Sequence, residues 1–269
     1  FAMDPNDYRG KNPYPVTFQD DALNEELNEK FAHKLQEEIL KIPLSEFDRY
    51  ENPFEQKYTL RDKYKYPPLL QQLMNYVTSS EYVEYLSEYT GYQLINDESR
   101  MYWGVHVYEP GDKLDIHVDA GCHPENAMKK QVTWGLYLSS NWLETYGCDF
   151  EVWEGDSVVV PGARLHRLVE KIAPMFNRMV LFTCLDNAWH GNPVPCQGPV
   201  GSKRIFVTLS YLADFNNQLE TNENDRNQNQ YKKAFFIARP QDDPDAEKDH
   251  LRLLRSNPDF CKDVYRIKL

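Results

Sequence analysis

The chain has 269 residues, 41% hydrophobic and 27% charged, and its 42 Asp and Glu against 30 Lys and Arg give a formal net charge of −12. Such an acidic balance argues against a protein that tracks phosphate backbones, because that affinity comes from clustered Lys and Arg releasing counterions. No apolar stretch reaches the roughly 18 residues of a membrane span, and the N-terminal stretch lacks the apolar run of a signal peptide. The sequence therefore predicts a soluble, intracellular, cytoplasmic protein with neither a membrane nor a nucleic acid as partner.

Apolar residues recur at helical spacing from Asp21 to Ile42 (Leu23, Leu27, Phe31, Leu35, Ile39), with acids early and Lys41 late, and predict an amphipathic helix. Pro67 and Pro68 open a second helical stretch, whose apolar side runs through Leu69, Leu70, Leu73, Val77, Tyr82 and Tyr85 until Gly91 ends it. Residues 1–99 thus read as a helical support region. From Arg100 the period shortens to two and Gly, Pro, Asn and Asp punctuate short segments, which predicts a β domain over residues 100–213. Strands are expected near 101–109, 114–119, 131–138, 149–153, 164–170, 178–184 and 204–212. Many short strands with long connections favour a jelly roll or sandwich over a parallel α/β sheet, so the expected class is mainly β with flanking helices. The Asn-rich polar run from Asn216 to Gln230 predicts a flexible loop over 214–230. Apolar residues return from Tyr231, and AEKDHLRLLR predicts a helix within a C-terminal extension, 231–269, that packs on the β domain.

The five cysteines (Cys122, Cys148, Cys184, Cys196, Cys261) are odd in number and form no CxxC pair. This fits neither a disulfide framework nor a thiolate zinc site, so reduced structural thiols are expected. A metal, if bound, must then be held by His and carboxylates.

His117-Val118-Asp119 offers such ligands. Residues i and i+2 of a strand point to the same side, so this imidazole and this carboxylate converge on one ion without backbone distortion. Seven histidines among 42 acids yield about one such tripeptide by chance, and His123-Pro124-Glu125 is a second. Context separates them. A facial triad needs a third ligand and leaves coordination positions open, the arrangement of non-haem Fe(II) oxygenases. His190 follows the apolar strand Met179 to Leu185 and sits at a strand end or turn, where it serves either as that ligand or as a solvated loop residue. Arg204 opens RIFVTLSYL, in which Arg204, Phe206, Thr208 and Ser210 share one face. A guanidinium on an inward face needs an anion, which a bound carboxylate or a protein carboxylate supplies; on an edge strand, water suffices. In QVTWGLYL, Thr133, Gly135 and Tyr137 share a face, while Trp134, Leu136 and Leu138 read as core.

Taken in order, HVDAGCHP, QVTWGLYLSSNW, GCDFEVW, PMFNRMVLF, WHGNPVP and RIFVTLSYL resemble successive segments of the 2-oxoglutarate and Fe(II)-dependent oxygenases, in the branch similar to prolyl 4-hydroxylases. The resemblance covers roughly Arg100 to Leu212. It implies a double-stranded β-helix, the jelly-roll or cupin-like core, with Fe(II), 2-oxoglutarate and O2 as cofactors and ascorbate in support. Carried over residue by residue, His117, Asp119 and His190 bind the metal and Arg204 pairs with the distal carboxylate of 2-oxoglutarate. Tyr108 lines the co-substrate pocket, Tyr137 hydrogen-bonds the same carboxylate, and Thr208 places a hydroxyl near the iron. Asp119 is a carboxylate where halogenating relatives carry a small residue, which points to hydroxylation.

The implied substrate is a prolyl residue in a peptide or protein, with succinate and CO2 released. A free amino acid or other small metabolite is the alternative, and a non-catalytic cupin-like binding module is the rival of another class. Lys203 rivals Arg204, because the Pro- and Gly-rich connection after His190 is long and a bulge would exchange their faces. His106 shares a face with Tyr108 and either lines the pocket or is a satisfied core histidine. His166 alternates with Arg164 on a face that reads as solvated.

Overall fold

Alternation along the β segments produces two apolar surfaces, and the chain buries both. The computed structural model describes residues 1–23, 30–119, 121–214 and 234–256. In chain order the elements are α1 (Pro5–Gly10), β1 (Val16–Gln19), α2 (Lys30–Leu40), β2 (Phe47–Asn52), β3 (Glu55–Leu60), α3 (Pro68–Val77), α4 (Ser80–Thr90), β4 (Gly104–Tyr108), β5 (Lys113–Val118), β6 (Lys129–Tyr137), β7 (Phe150–Gly155), β8 (Leu165–Ile172), β9 (Met179–Thr183), β10 (Trp189–Asn192), β11 (Arg204–Ala213), β12 (Phe235–Phe236) and α5 (Ala246–Ser256). The flexible loop expected over 214–230 lies, after Asp214, outside the described residues, as do residues 257–269.

All twelve strands join one antiparallel sheet in the order β1-β9-β6-β11-β4-β3-β5-β10-β7-β8, with β2 on β3 and β12 on β5. Strand β3 is the hinge of this path. Its residues Tyr58 and Thr59 pair with β4, whereas Glu55 and Gln56 pair with β5, so the sheet folds over into the nearly closed jelly-roll barrel that the sequence predicts.

The outer face of one half carries Val105, Val107, Trp134, Leu136, Leu181, Val207 and Leu209, each from an alternate strand position. Helices α2, α3 and α4 cover it with Leu35, Ile39, Leu70, Leu73 and Leu86 in the same cluster. Burying one such side chain contributes about 1.5–3 kcal/mol, so this interface fixes the sheet's curvature and hence the cavity behind it. Two polar ties add direction: Tyr211 donates to the Val77 carbonyl at 2.6 Å, and the Trp134 indole donates to Tyr82 Oη at 3.1 Å. No helix among the described residues is long and apolar enough to cross a membrane.

Several expectations need correction. The helical stretch from Pro68 to Gly91 is two helices, because Thr78 turns its hydroxyl back onto the Met74 carbonyl and Ser79 caps a new helix by accepting from Tyr82 N at 3.2 Å. The N-terminal region also supplies three strands, β1, β2 and β3, besides its helices. The expectation of reduced thiols fails at Cys148 and Cys196, which form a disulfide across 48 residues with Cα atoms 4.8 Å apart. Sequence spacing carries no information about such proximity. Cys122 and Cys184 are buried thiols outside the disulfide, and Cys261 lies outside the described residues.

Candidate functional site

The triad begins with a strand pair. Antiparallel β5 and β10 set His117 directly opposite His190, which brings the two imidazole centroids to 4.4 Å. Asp119, two residues beyond His117, falls on the same side. Its Oδ1 lies 3.5 Å from His117 Nε2 and its Oδ2 lies 3.9 Å from His190 Nε2. One ligand atom from each residue lies within 4.8 Å of the other two, the only such three-residue cluster of His, Cys, Asp or Glu among the described residues. His190 is therefore not a solvated loop residue: it sits inside β10 and is buried.

Both rings are oriented from behind. His117 Nδ1 donates to the Asp115 carbonyl at 2.9 Å, and His190 Nδ1 donates to the Ala188 carbonyl at 2.8 Å. These bonds fix the tautomer and turn both Nε2 lone pairs toward the centre, the arrangement that metal-ligating histidines use. Burial, with His117 alongside, lowers His190 to about 3, so its ring is neutral and able to ligate. Burial by itself would raise the Asp119 carboxyl, but Lys130 and the two imidazoles overcome it and hold the group well below the usual carboxylate range. The donor set is thus two imidazoles and one carboxylate, which suits a divalent transition metal and leaves positions for exogenous ligands.

These residues line a cavity of about 330 Å³ that Arg204, Tyr108, Tyr137 and Phe206 also line. Arg204 is 2% exposed, and its Nε has no hydrogen-bond partner among the described residues. Its guanidinium lies 4.8 Å and 4.9 Å from the ring centroids of Tyr108 and Tyr137, with one Nη donating to Tyr137 Oη at 3.4 Å. It forms no ion pair with a carboxylate among the described residues. A buried cation held only by rings and a phenol is costly to leave so, and the planar fork fits a carboxylate entering from the cavity. Burial raises the Tyr137 phenol to about 12, so it remains protonated.

Strand β11 pairs with β4 in unbroken register from Arg204 opposite Tyr108 to Thr208 opposite Gly104, and its one irregularity lies later, between Tyr211 and Leu212. Arg204 therefore faces the cavity and Lys203 does not line it. Thr208 lines it too, although its hydroxyl donates to the Trp134 carbonyl at 2.7 Å. His106 is a wall residue, its Nδ1 paired with Thr59 Oγ1 at 3.0 Å. The second H-x-[DE] is elsewhere: His123 is fully buried, with Nε2 at 3.0 Å from Ser99 Oγ and 3.3 Å from Asp97. His166 is half exposed and pairs with Asp156.

Lys57, Lys63, Lys130 and Tyr102 also line the cavity and were not legible as site residues. Lys57 comes from β3, in a region whose sequence reads as helical. Lys130 is turned inward by a bulge at Gln131, where Tyr211 pairs with Val132 but Leu212 pairs with Lys130. Larger concavities, of about 540, 680 and 380 Å³, lie elsewhere, and none of these includes the triad.

Comparison with known proteins agrees with this geometry. The family described as the 2OG-Fe(II) oxygenase superfamily matches residues 103–212. A Pseudomonas putida prolyl-4-hydroxylase superposes with a TM-score of 0.54 at 15% identity, covering 78% of this chain and 96% of that one. A Trichoplax adhaerens prolyl hydroxylase, solved with a hypoxia inducible factor peptide, gives 0.55 at 17% identity over 82% and 92%. SnoK, an alpha ketoglutarate dependent carbocyclase from nogalamycin biosynthesis, gives 0.52 at 13% identity over 93% and 91%. No curated protein matches significantly. At such identities the structural likeness defines a fold, and these three proteins share it across different reactions. The β core of this chain, residues 103–212, is thus similar to the 2OG-Fe(II) oxygenase superfamily, and that family's chemistry calls for Fe(II), 2-oxoglutarate and O2.

Proposed function

We propose that this chain hydroxylates a C–H bond, with His117, Asp119 and His190 as the Fe(II) ligands and Arg204 as the anchor of 2-oxoglutarate. The observation that carries this reading is the buried Arg204 guanidinium, without a described carboxylate partner, in the same cavity as the triad. Bound iron, with 2-oxoglutarate and O2, supplies the oxidation: one oxygen atom enters the substrate C–H bond, the other enters succinate, and CO2 leaves. The protein's part is positioning. Asp115 and Ala188 carbonyls aim the two imidazoles, Tyr137 donates its phenolic hydrogen bond to the same ligand carboxylate that Arg204 receives, and Tyr108 and Phe206 exclude water around that ion pair. Thr208, committed to the Trp134 carbonyl, shapes the wall near the metal.

The first substrate class to test is a prolyl residue in a peptide or protein, which the fold's likeness to two prolyl hydroxylases supports. A free amino acid or small metabolite is the second reading, favoured by the cavity's modest 330 Å³, near the lower end for ligand pockets. An anaerobic titration of Fe(II)-loaded protein with 2-oxoglutarate, followed by the visible charge-transfer band of the chelate, tests the class. A band that saturates supports the reading; iron bound without any band assigns the chain to metal-binding jelly rolls of another kind, including the cupin-like binders.

A further inference from the structure

Although the chain as a whole is strongly acidic, its cavity is not. Lys57, Lys63, Lys130 and Arg204 all line it, against a single lining carboxylate among the described residues, Asp119. Iron(II) and the 2-oxoglutarate dianion cancel each other, and Arg204 cancels Asp119 in the same count. Three lysines then remain: Lys57 has its 2.9 Å ion pair with Glu55, Lys63 donates to the Met101 carbonyl, and Lys130 stands beside Asp119. Their field is felt inside: burial first, then the charges of Lys57, Lys63, Arg204 and Lys130, push His106 well below the usual imidazole range.

Lys130 is the lysine placed to use that surplus. Its Nζ lies 2.8 Å from Asp119 Oδ2 and 4.9 Å from the centroid of the Tyr102 ring, on a side chain 12% exposed. An ammonium has three donors, and the contact with Asp119 takes one. Tyr102 is itself pinned, its N–H donating to Asp97 Oδ2 at 3.0 Å and its hydroxyl to the Cys122 carbonyl at 3.2 Å, so the platform under Lys130 is rigid. The cation therefore stands beside the metal ligands, on the side of the cavity away from Arg204, with donors left for a second ligand.

We propose that the substrate oxidised here carries a carboxylate, and that Lys130 receives it. This rests on the oxygenase reading above and deepens it. The carboxylate is either the substrate's own, as in a free or N-acylated amino acid, or a Glu or Asp side chain beside the oxidised residue of a peptide. In both cases its distance from Lys130 fixes which carbon faces the metal, so Lys130 is a specificity-determining residue.

The test uses full-length protein loaded anaerobically with Mn(II) and 2-oxoglutarate, and reads the paramagnetic broadening of ligand proton resonances. Four probes form two matched pairs: N-acetyl-L-proline and its amide, and acetyl-Glu-Pro-amide and acetyl-Gln-Pro-amide. In at least one pair the acid is expected to bind tenfold or more tightly than its neutral partner, and Lys130→Met to reduce that ratio below twofold, with Lys130→Arg restoring part of it. A preference in the first pair identifies a small acid, and one in the second an acidic peptide. Equal binding within both pairs overturns the proposal, as does a preference that survives Lys130→Met. Broadening of the 2-oxoglutarate resonances in the same samples reports on the underlying site. Its absence in the wild type overturns the oxygenase reading itself, and its presence in Lys130→Met shows that the variant is folded.

Discussion

Arg204→Met is the substitution with the most to say, because the structure assigns it opposite effects on the free and the liganded protein. The guanidinium is 2% exposed and forms no ion pair with a carboxylate among the described residues. Removing it from the ligand-free protein therefore removes a desolvation cost, and thermal stability should hold or rise. Binding of 2-oxoglutarate should behave in the opposite way. Truncating one partner of a buried, hydrogen-bonded charge pair costs about 2–5 kcal/mol. At about 1.4 kcal/mol per decade, that is a loss of roughly 30-fold to several thousand-fold in affinity. Isothermal titration calorimetry of the anaerobic Fe(II) form measures the loss, and thermal shifts with and without 2-oxoglutarate measure the coupling, since 100 Kd of ligand stabilises the native state by about 2.7 kcal/mol. Lys203→Met is the control and should change affinity less than twofold. Equal losses at 203 and 204, or an Arg204→Met protein that binds 2-oxoglutarate normally, would refute the register and the role argued from it.

Three further outcomes follow from the same geometry. His117→Ala and His190→Ala should each abolish stoichiometric Fe(II) binding in metal analysis. His123→Ala should keep the metal yet lose about 1–3 kcal/mol in a chemical melt, as the fully buried ring and its 3.3 Å contact with the buried Asp97 carboxylate are both lost. Gly135→Ala should lower stability by about 1–3 kcal/mol and weaken 2-oxoglutarate binding together, because the new Cβ would lie 2.0 Å from Phe206 Cζ and displace the ring that packs on Tyr137; a neutral result would contradict the packing between β6 and β11. Reduction of the Cys148–Cys196 bridge, or Cys148→Ser, should cost up to about 4 kcal/mol for a loop of this length, read by denaturation with and without reductant. Mass spectrometry of alkylated protein should find both cysteines blocked before reduction, and free thiols there would remove the bridge from the account.

Much of the site was legible because strand geometry is local. His117 and Asp119 converge through a two-residue period that any strand imposes, and Arg204 shares a face with Phe206 and Thr208 for the same reason, with no bulge to disturb the count. The number and brevity of the strands likewise pointed to a jelly roll or a sandwich, and the family resemblance selected the jelly roll. Where the period is interrupted, the sequence misleads. Simple alternation from Thr133 would place Gln131 rather than Lys130 on the inner face, and the bulge that reverses this is set by how β6 meets β11. Lys57 reaches the cavity from β3, which forms a local hairpin with β2 but is set against the cavity by bridging β4 and β5, partners that lie more than forty residues away in the chain. The Cys148–Cys196 pair was hidden for the same reason: nothing near either cysteine in sequence records that folding leaves their Cα atoms 4.8 Å apart.

The sequence by itself therefore determined the ligand types, the faces they occupy and the family they resemble, since these depend on residue chemistry and a two-residue repeat. Only the tertiary structure decided that His190 stands opposite His117, that Arg204 is buried without an ion-paired carboxylate among the described residues, and that lysines from distant segments line the same cavity as the triad. These depend on strand pairing, bulges and long-range closure, which are settled by packing the whole chain at once.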